Sequence, residues 1–460
     1  MHWADVREGL REGLREVAVR PHLAVPAAMM GAWLLAMPVY LSAVFYDYAL
    51  DEPDLFLVDY SFFHYAALRF VENPLALYVD PEYLYPPPAV LVFLPATWAS
   101  GPVGYITLGP LIFGALAVAY AWALRIWERE AADLQPSLPR HGGRERQSGS
   151  GLRVPSTPVR LALLLVALGS GPTFQNLKYA QVNVLVLLSA LAFLHLAQRG
   201  KPGWGALALS GGFWLKLLPM ALLPLALWKR WPRLAMGTLA GLVAVPVLLL
   251  PLIPLELYRE YVFERLPAFS GATDLGSMSN SIQASITRLG YPIQVVVRGG
   301  MLPASGLASA VAVTIGVGVL GAATIAAWMG RLGRVRAGFV ILAILPAVVP
   351  LGWEHTFVLA VPLLLVVLAE AERQPVWIRV LVALAALAFF AQRLPPPQMA
   401  FLVDLLPRPV IDLYMARLWL ATLGLIGLGL APALRVSQRE TEPLGASASV
   451  LPRSDRGGAG

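Results

Sequence analysis

The sequence predicts an all-α, polytopic membrane protein: a helical bundle of about 10–12 transmembrane helices with a long first extracytoplasmic loop. Three observations predict this fold class. Of the 460 residues, 57% are hydrophobic and 14% are charged, whereas soluble proteins carry about 25% charged residues. Apolar runs of roughly membrane-spanning length alternate with polar segments. Lys and Arg gather in some of those polar segments and are scarce in others, as expected if the basic segments face the cytoplasm.

The basic polar segments predict the cytoplasmic parts of the chain. Residues 1–22 alternate Arg and Glu at helical spacing, which predicts a cytoplasmic amphipathic helix on the membrane surface. Residues 128–160 contain six Arg among Gly and Ser, which predicts a flexible cytoplasmic loop. Residues 433–460 are polar and rich in Gly and Ser, which predicts a disordered cytoplasmic tail. The transmembrane domain is therefore predicted at 23–432.

The acidic segments predict the extracytoplasmic side. Residues 46–87 hold eight acidic side chains and one basic side chain, Arg69, so this first loop is expected outside the cytoplasm. The second large loop, 255–302, is predicted on the same side. A composition rich in Ala, Leu and Arg but poor in Lys suggests a GC-rich bacterial genome. For this membrane protein we therefore expect the bacterial inner membrane, with the active site on its extracytoplasmic side.

Two apolar segments have lengths that do not fit simple crossings. Segment 86–127 is long enough to cross twice, although the distribution of basic residues asks for an odd number of crossings there. Segment 204–228 lies between two basic clusters but is too short for two spans. Broken or re-entrant helices that line a polar cavity would explain both.

The composition excludes several functional classes. Cysteine is absent, which excludes disulfides and cysteine-based metal or redox sites. The net charge of +7 is explained by the basic residues of the predicted cytoplasmic loops. These basic residues are not interleaved with aromatic ones, so no nucleic-acid partner is expected. The polar regions lack the nucleophile elbow and the nucleotide-binding glycine motifs. The chain has only six His, and one His beside one Glu is a poor metal site, so we expect neither a metal site nor a cofactor.

Two charged residues stand out as candidate functional groups. Asp59 comes where a helical pattern resumes after the acidic stretch, and a carboxylate there is placed to act as a general base. A helix N-cap is the alternative role for Asp59. Lys216 lies in an apolar segment, where a charge indicates a functional site. Snorkelling to the interface is its alternative, but the nearby Gly211-Gly212 and Pro219 favour a broken helix.

Polar side chains before and after the next spans form a second set of candidates. Tyr85 fits an aromatic belt, but it could also stack on a sugar. Lys178 could pair with a phosphate. Gln181 and Asn183 begin an apolar segment, where amides without hydrogen-bond partners cost free energy.

Two later clusters complete the candidates. In the second large loop, Asn280 and Ser281 precede Arg288, which could hold a phosphate through two parallel hydrogen bonds. A capped surface helix is the alternative. The Trp353-Glu354-His355 turn brings a His that could donate to a phosphate or move a proton, and a Glu that could fix the tautomer of that His.

Taken in order, these residues resemble the glycosyltransferase family 87 enzymes over roughly residues 25–430. The resemblance is carried by Asp59-Tyr60, Leu77-Tyr78, Tyr85-Pro86-Pro87, Gln181-Val182-Asn183, Lys216, Asn280-Ser281, Arg288 and Trp353-Glu354-His355. The family usually has Gly where this chain has Ala180, and it often has Asn-Gln-Ser where this chain has Asn280-Ser281-Ile282-Gln283.

The resemblance implies a GT-C-type fold and an inverting transferase. It would move a sugar from a polyprenyl-phosphate donor to a glycolipid or glycan acceptor on the extracytoplasmic face. Mannose is the family's best-known choice of sugar. Membrane lipids would be its surroundings. A multi-span transporter or flippase of lipid-linked sugars is the alternative, but the acidic loop and the lack of an internal repeat argue against it.

The resemblance also implies roles for individual residues. Asp59 would be the general base. The donor phosphate and lipid would be bound by Lys178, Lys216, Arg288 and His355. The substrates would be bound by Tyr85, Gln181, Asn183, Asn280, Ser281, Trp353 and Glu354.

Overall fold

A computed structural model describes residues 3–51, 58–79, 83–98, 101–133, 155–227, 232–276, 279–391 and 396–441. Within these ranges the chain is almost entirely helical, which confirms the all-α prediction. Parts of the predicted loops 46–87 and 128–160, and of the predicted tail 433–460, lie outside the described residues. The last helix continues beyond the predicted domain boundary at 432, as far as Thr441.

The helices and strands have the following bounds. The first half of the chain forms α1 Trp3–Ala18, α2 Pro21–Asp51, α3 Val58–Glu72, α4 Val90–Phe93, α5 Gly101–Asp133, α6 Thr157–Leu168, α7 Gly171–Lys178, α8 Asn183–Gln198, α9 Pro202–Leu215, α10 Leu223–Ala226 and α11 Pro232–Leu249. The second half forms α12 Leu255–Glu260, α13 Leu266–Ser270, α14 Ile282–Arg288, α15 Ile293–Arg298, α16 Gly306–Trp328, α17 Arg334–Val348, α18 Val361–Glu370, α19 Val376–Phe390, α20 Pro396–Leu405 and α21 Arg408–Thr441.

Short turns and one small ribbon connect these helices. The 3-10 turns are Pro74–Ala76, Pro87–Ala89, Leu94–Trp98, Leu218–Leu222, Glu354–Leu359 and Ala371–Arg373, and Tyr261–Arg265 is a π-helical turn. Strands β1 Ala272–Asp274 and β2 Met301–Pro303 pair in antiparallel register inside the second large loop.

Among the described residues, five helices are long and apolar enough to cross a membrane. They are Pro21–Val39, Thr107–Asp133, Pro232–Leu249, Gly306–Trp328 and Arg408–Pro432. A sixth span is formed if α6 and α7, which meet at a bend of 53°, are counted together. The other apolar runs form helices that are shorter or broken. The length of an apolar run in the sequence does not show where a helix within it ends.

Helices α17 and α18 form the centre of the bundle. Both are buried along nearly their whole length, which suits helices that are apolar on every side. Helices α11 and α16 bury little more than a few small residues and expose their large aliphatic side chains. That exposure is the pattern of outer helices in a membrane bundle, where lipid replaces protein as the apolar surrounding.

The polar side chains collect at the two ends of the bundle. One end, here called the polar end, is built from residues 58–79, 83–98, 171–183, 272–276, 279–303 and 352–359, which hydrogen-bond to one another. The opposite end is held by ion pairs, which include Arg20–Glu372, Arg160–Glu128 and Arg336–Glu370.

Glu130 fixes the start of the central helix α17. Its Oε1 accepts the backbone N–H of Val335 at 2.7 Å, and its Oε2 accepts that of Arg336 at 3.1 Å. The first N–H groups of a helix have no partner within the helix itself. A carboxylate from the neighbouring helix α5 therefore caps α17, and its negative charge suits the helix N-terminus.

We expect Glu130→Ala to lower the free energy of unfolding by about 1–3 kcal/mol, because two buried N–H groups lose their acceptor. The matched control is Asp133→Ala, which removes an exposed carboxylate from the same helix. Surface substitutions of this kind usually change the free energy of unfolding by less than about 0.5 kcal/mol. Denaturant unfolding in detergent measures both variants, and equal losses would contradict the capping role.

Candidate active site

An amide bridge joins three polar-end residues that are distant in sequence. Asp59 is in the first turn of α3, and its Oδ2 accepts a hydrogen bond from Nε2 of Gln181. The Oε1 of Gln181 accepts the Tyr85 hydroxyl at 3.1 Å. Gln181 is 1% exposed. The amide oxygen of Gln181 thus accepts from Tyr85 while its amide nitrogen donates to Asp59, which fixes the rotation of the amide. The fixed amide in turn holds the orientation of the Asp59 carboxylate.

Lys216 lies at a break in the bundle, as its sequence context predicts. Helix α9 ends at Lys216, whose backbone is extended, with φ −162° and ψ 126°. Its Nζ donates to Oδ1 of Asn183 at 2.8 Å and lies 5.8 Å from the centroid of the Tyr85 ring. Lys216 is also within electrostatic range of Asp59. The carboxylate and the half-buried cation therefore share one site.

A glycine on α9 permits this arrangement. Helix α9 approaches α8 so closely that a Cβ at Gly212 would lie 2.0 Å from Oγ of Ser189. Only glycine fits such a contact. Because Asn183 is the first residue of α8, the close packing brings Lys216 and Asn183 together.

Two asparagines hold the backbone of the His355 turn. Nδ2 of Asn176 donates to the carbonyl oxygens of Pro172 and His355, and Nδ2 of Asn183 donates to the same His355 oxygen at 3.4 Å. The two amides also bond to each other at 3.3 Å. Asn176 was not among the sequence candidates, although it lies between two apolar segments and close to Lys178, Gln181 and Asn183.

The Trp353 turn packs against the second large loop. Trp353 forms an isolated antiparallel bridge with Ser279, and its Nε1 donates to Oδ2 of Asp274 at 3.2 Å. The His355 ring lies 5.6 Å from the Trp353 ring and is 1% exposed. Burial lowers the pKa of His355 well below its usual range, and the charge of Lys216 lowers it further. The imidazole is therefore neutral near pH 7.

Glu354 is bound by a residue that sequence reasoning missed. Nη2 of Arg417 on α21 donates to Oε1 of Glu354 at 3.0 Å, and the two side chains are 8% and 3% exposed. Arg417 also donates to the backbone carbonyls of Ala391 and Tyr414. This buried ion pair ties the turn that carries His355 to a spanning helix.

The remaining candidates shape the loop beside the site. Ser281 caps α14, because its Oγ accepts the backbone N–H of Ala284 at 3.0 Å. Arg288 is 1% exposed and donates to the carbonyl of Leu275 at 2.8 Å and to the carbonyls of Gly276 and Ser279. Lys178 lies in the last turn of α7, and its Nζ is 5.3 Å from the Tyr179 ring.

The structure thus brings together Asp59, Tyr85, Gln181, Asn183, Lys216 and the turn of His355. Asn280 adjoins that turn through its backbone N–H, which donates to Gly352 at 2.8 Å. No group of three or more side chains suited to bind a metal occurs in the part of the chain that the structure describes.

A carboxylate and a half-buried cation thus lie together at one polar end of a helical membrane bundle. The family model of glycosyltransferase family 87 matches residues 83–351, which is more than half of the chain. The chain therefore belongs to glycosyltransferase family 87, as the resemblance implied. Tyr85 through Arg288 lie inside the matched range, whereas Asp59 precedes it and the Trp353 turn follows it.

A curated relative supports the same class. An alpha-(1->3)-arabinofuranosyltransferase of Corynebacterium glutamicum is 30% identical over 260 residues. The match covers 54% of this chain and 54% of that protein, so it spans about half the length of the relative.

The Glu354–Arg417 pair can be tested by a double-variant cycle. We expect Arg417→Met to lower the free energy of unfolding by about 3–5 kcal/mol, because the Glu354 carboxylate stays buried without its guanidinium. The double variant Arg417→Met/Glu354→Leu should recover most of that loss, since an apolar pair can replace a buried ion pair. Denaturant unfolding in detergent measures all three proteins. Strictly additive losses would show that the two side chains do not stabilise each other.

Ala180 can be tested at the position where the family usually has glycine. Its φ of 49° lies in the left-handed region, which costs a residue with a Cβ roughly 1–2 kcal/mol. Glycine removes that strain but gains about 0.4–1 kcal/mol of entropy in the unfolded chain. We expect Ala180→Gly to stabilise the protein by roughly 0.5–1 kcal/mol, read by thermal unfolding. The control is the opposite exchange, Gly203→Ala, in helix α9 at a position with open space around it. Alanine is favoured over glycine within a helix, so there we expect the change to alanine to raise the Tm.

Proposed function

We propose that this chain is an inverting glycosyltransferase that moves a sugar from a polyprenyl-phosphate donor to a hydroxyl of a lipid or polysaccharide. The reaction takes place on the extracytoplasmic face of a bacterial inner membrane. The observation that carries the proposal is the shared site of Asp59 and Lys216, linked through Gln181, Tyr85 and Asn183. It supplies a proton acceptor and a cation beside each other.

The reaction follows from that pair. The acceptor oxygen attacks the anomeric carbon from the side opposite the phosphate, and its proton passes to the Asp59 carboxylate. The bond between the anomeric carbon and the phosphate oxygen breaks, and its electron pair leaves with the phosphate. Lys216 stabilises the negative charge that develops on that oxygen. Attack from the opposite side inverts the configuration at the anomeric carbon.

The protein contributes mainly position and charge. Gln181 orients the carboxylate, and Asn183 holds the ammonium group of Lys216. Both substrates are confined to the membrane beside one base, which replaces a costly encounter by a held geometry. A lipid-phosphate leaving group needs a cation near the membrane surface, so a nucleotide-binding fold is unnecessary.

The relative from Corynebacterium glutamicum transfers arabinofuranose according to its name, which makes arabinofuranose the first sugar to test on this chain. Mannose, the best-known choice of the family, is the second. The acceptor is a glycolipid or a glycan of the cell envelope.

The test compares the wild type with Asp59→Asn. Purified protein is incubated with radiolabelled polyprenyl-phosphate arabinofuranose or mannose and with lipid extract as acceptor. We expect transfer by the wild type and a fall in kcat of about 10²–10⁴-fold in the variant, which is the usual contribution of a general base. The matched control is Glu72→Gln, at the other end of the same helix α3 and exposed, which should keep wild-type activity.

Two outcomes would count against the proposal. Transfer by Asp59→Asn at the wild-type rate would remove Asp59 as the base while leaving the transferase class intact. No transfer by the wild type from either donor would favour a transporter or flippase of lipid-linked sugars.

A further inference from the structure

A group of buried, uncharged side chains lies where the second large loop meets the Trp353 turn. Both amide atoms of Asn280, Nε2 of Gln283, both ring nitrogens of His355 and Oγ1 of Thr356 are buried and form no hydrogen bond within the described ranges. Asn280 is 0% exposed, and the other three are at most 2% exposed. Buried polar groups are normally paired, so this concentration of unpaired ones asks for an explanation.

The four side chains come from two segments that are bonded to each other. The backbone N–H of Asn280 donates to the carbonyl of Gly352 at 2.8 Å, and Ser279 bridges to Trp353. Gln283 follows Asn280 in the first turn of α14, and Thr356 follows His355. The unpaired atoms are therefore concentrated around one contact between the loop and the turn.

Most of the charged atoms around this contact are already engaged. Arg288 donates to three backbone carbonyls of the loop through Nε and Nη2, and Glu354 is bound by Arg417. Nη1 of Arg288 is buried and has no hydrogen-bond partner among the described residues. Asp274 accepts from Trp353 and from the backbone of Gly276. What remains unpaired here is a set of amides, a hydroxyl, the neutral imidazole of His355 and one nitrogen of Arg288, beside the Trp353 ring. Such a set suits an uncharged molecule rich in hydroxyl groups.

We propose that Asn280, Gln283, His355 and Thr356 form the subsite that binds the sugar ring of the donor, while Lys216 binds the donor's phosphate. The inference rests on the proposed function and adds a division of the site into a neutral part and a charged part. Gln283 and Thr356 are new as site residues, and His355 moves from the phosphate to the sugar.

The neighbouring groups favour the sugar of the donor over that of the acceptor. Lys216 donates to Asn183, and Asn183 donates to the carbonyl of His355. One asparagine thus separates the phosphate-binding ammonium from the neutral subsite. In the donor the sugar is bonded directly to the phosphate, so its ring must lie beside the phosphate-binding group.

Binding of two lipids by detergent-solubilised protein tests the proposal. The first ligand is polyprenyl phosphate, and the second is the same lipid carrying arabinofuranose or mannose. The ratio of their Kd values measures what the sugar adds to binding. We expect Asn280→Ala to leave Kd for polyprenyl phosphate unchanged and to reduce that ratio about 3- to 10-fold, which is the loss of one or two hydrogen bonds. Lys216→Gln, the matched control, should weaken both lipids by the same factor and keep the ratio.

The outcomes separate this inference from the function on which it rests. Equal weakening of both lipids by Asn280→Ala, or no change in either, would overturn the sugar subsite. A rise in the acceptor KM with an unchanged donor ratio would do the same, because the ring bound there would belong to the acceptor. If the wild type binds the two lipids equally, only the subsite fails. If it binds neither lipid, the proposed function fails as well.

Thermal stability without substrate gives an independent reading. Asn280→Leu replaces the amide by an apolar side chain of similar size and removes two unpaired polar atoms. We expect its Tm to equal or exceed that of the wild type, since an unpaired buried group destabilises the folded state. A lower Tm would give Asn280 a structural role and would contradict the proposal.

Discussion

The arrangement of the site depends on one constraint, which is that a polar group inside a membrane bundle must find its partner within the protein. Helices satisfy their own backbone, but every point where a helix stops leaves donors and acceptors to be satisfied. Three such points meet at the polar end: the bend after α6, the end of α9 at Lys216 and the 3-10 turn Glu354–Leu359. The amides of Asn176 and Asn183 connect them, and Gln181 joins Asp59 to Tyr85 beside them. The catalytic candidates lie at these breaks because irregular backbone and polar side chains stabilise each other there.

Much of this could be predicted from the sequence, because the signals are local. A lysine in an apolar run with glycines and a proline nearby predicted the break at Lys216, and the structure has one. The amide-rich segment before α8 predicted a polar site at the start of a helix. The pairing of those segments could not be predicted, because it depends on packing between distant helices. The contact of Gly212 with Ser189 that brings Lys216 to Asn183 is an example.

Arg417 shows where the same reasoning stopped short. It is an arginine in the apolar run that forms the last span, so the argument that singled out Lys216 applies to it equally. Sequence proximity instead suggested that Glu354 serves its neighbour His355. The structure gives Glu354 a partner 63 residues further along the chain. A charged residue in a span therefore deserves a search for its counterpart across the whole chain, and the isolated acid of a distant turn is the natural candidate.

The two halves of the polar end differ in what surrounds their polar groups. Around Asp59 and Lys216, opposite charges lie close together, and a buried setting strengthens their effect on charge that develops in a reaction. Around Asn280 and His355, the charges of Arg288 and Glu354 are engaged by backbone carbonyls and by Arg417. Most of the charge there is already paired, so recognition of a ligand would depend mainly on the direction of hydrogen bonds. Under the proposed mechanism, separating the two tasks would let the neutral part change its fit to a sugar without disturbing the proposed base and cation.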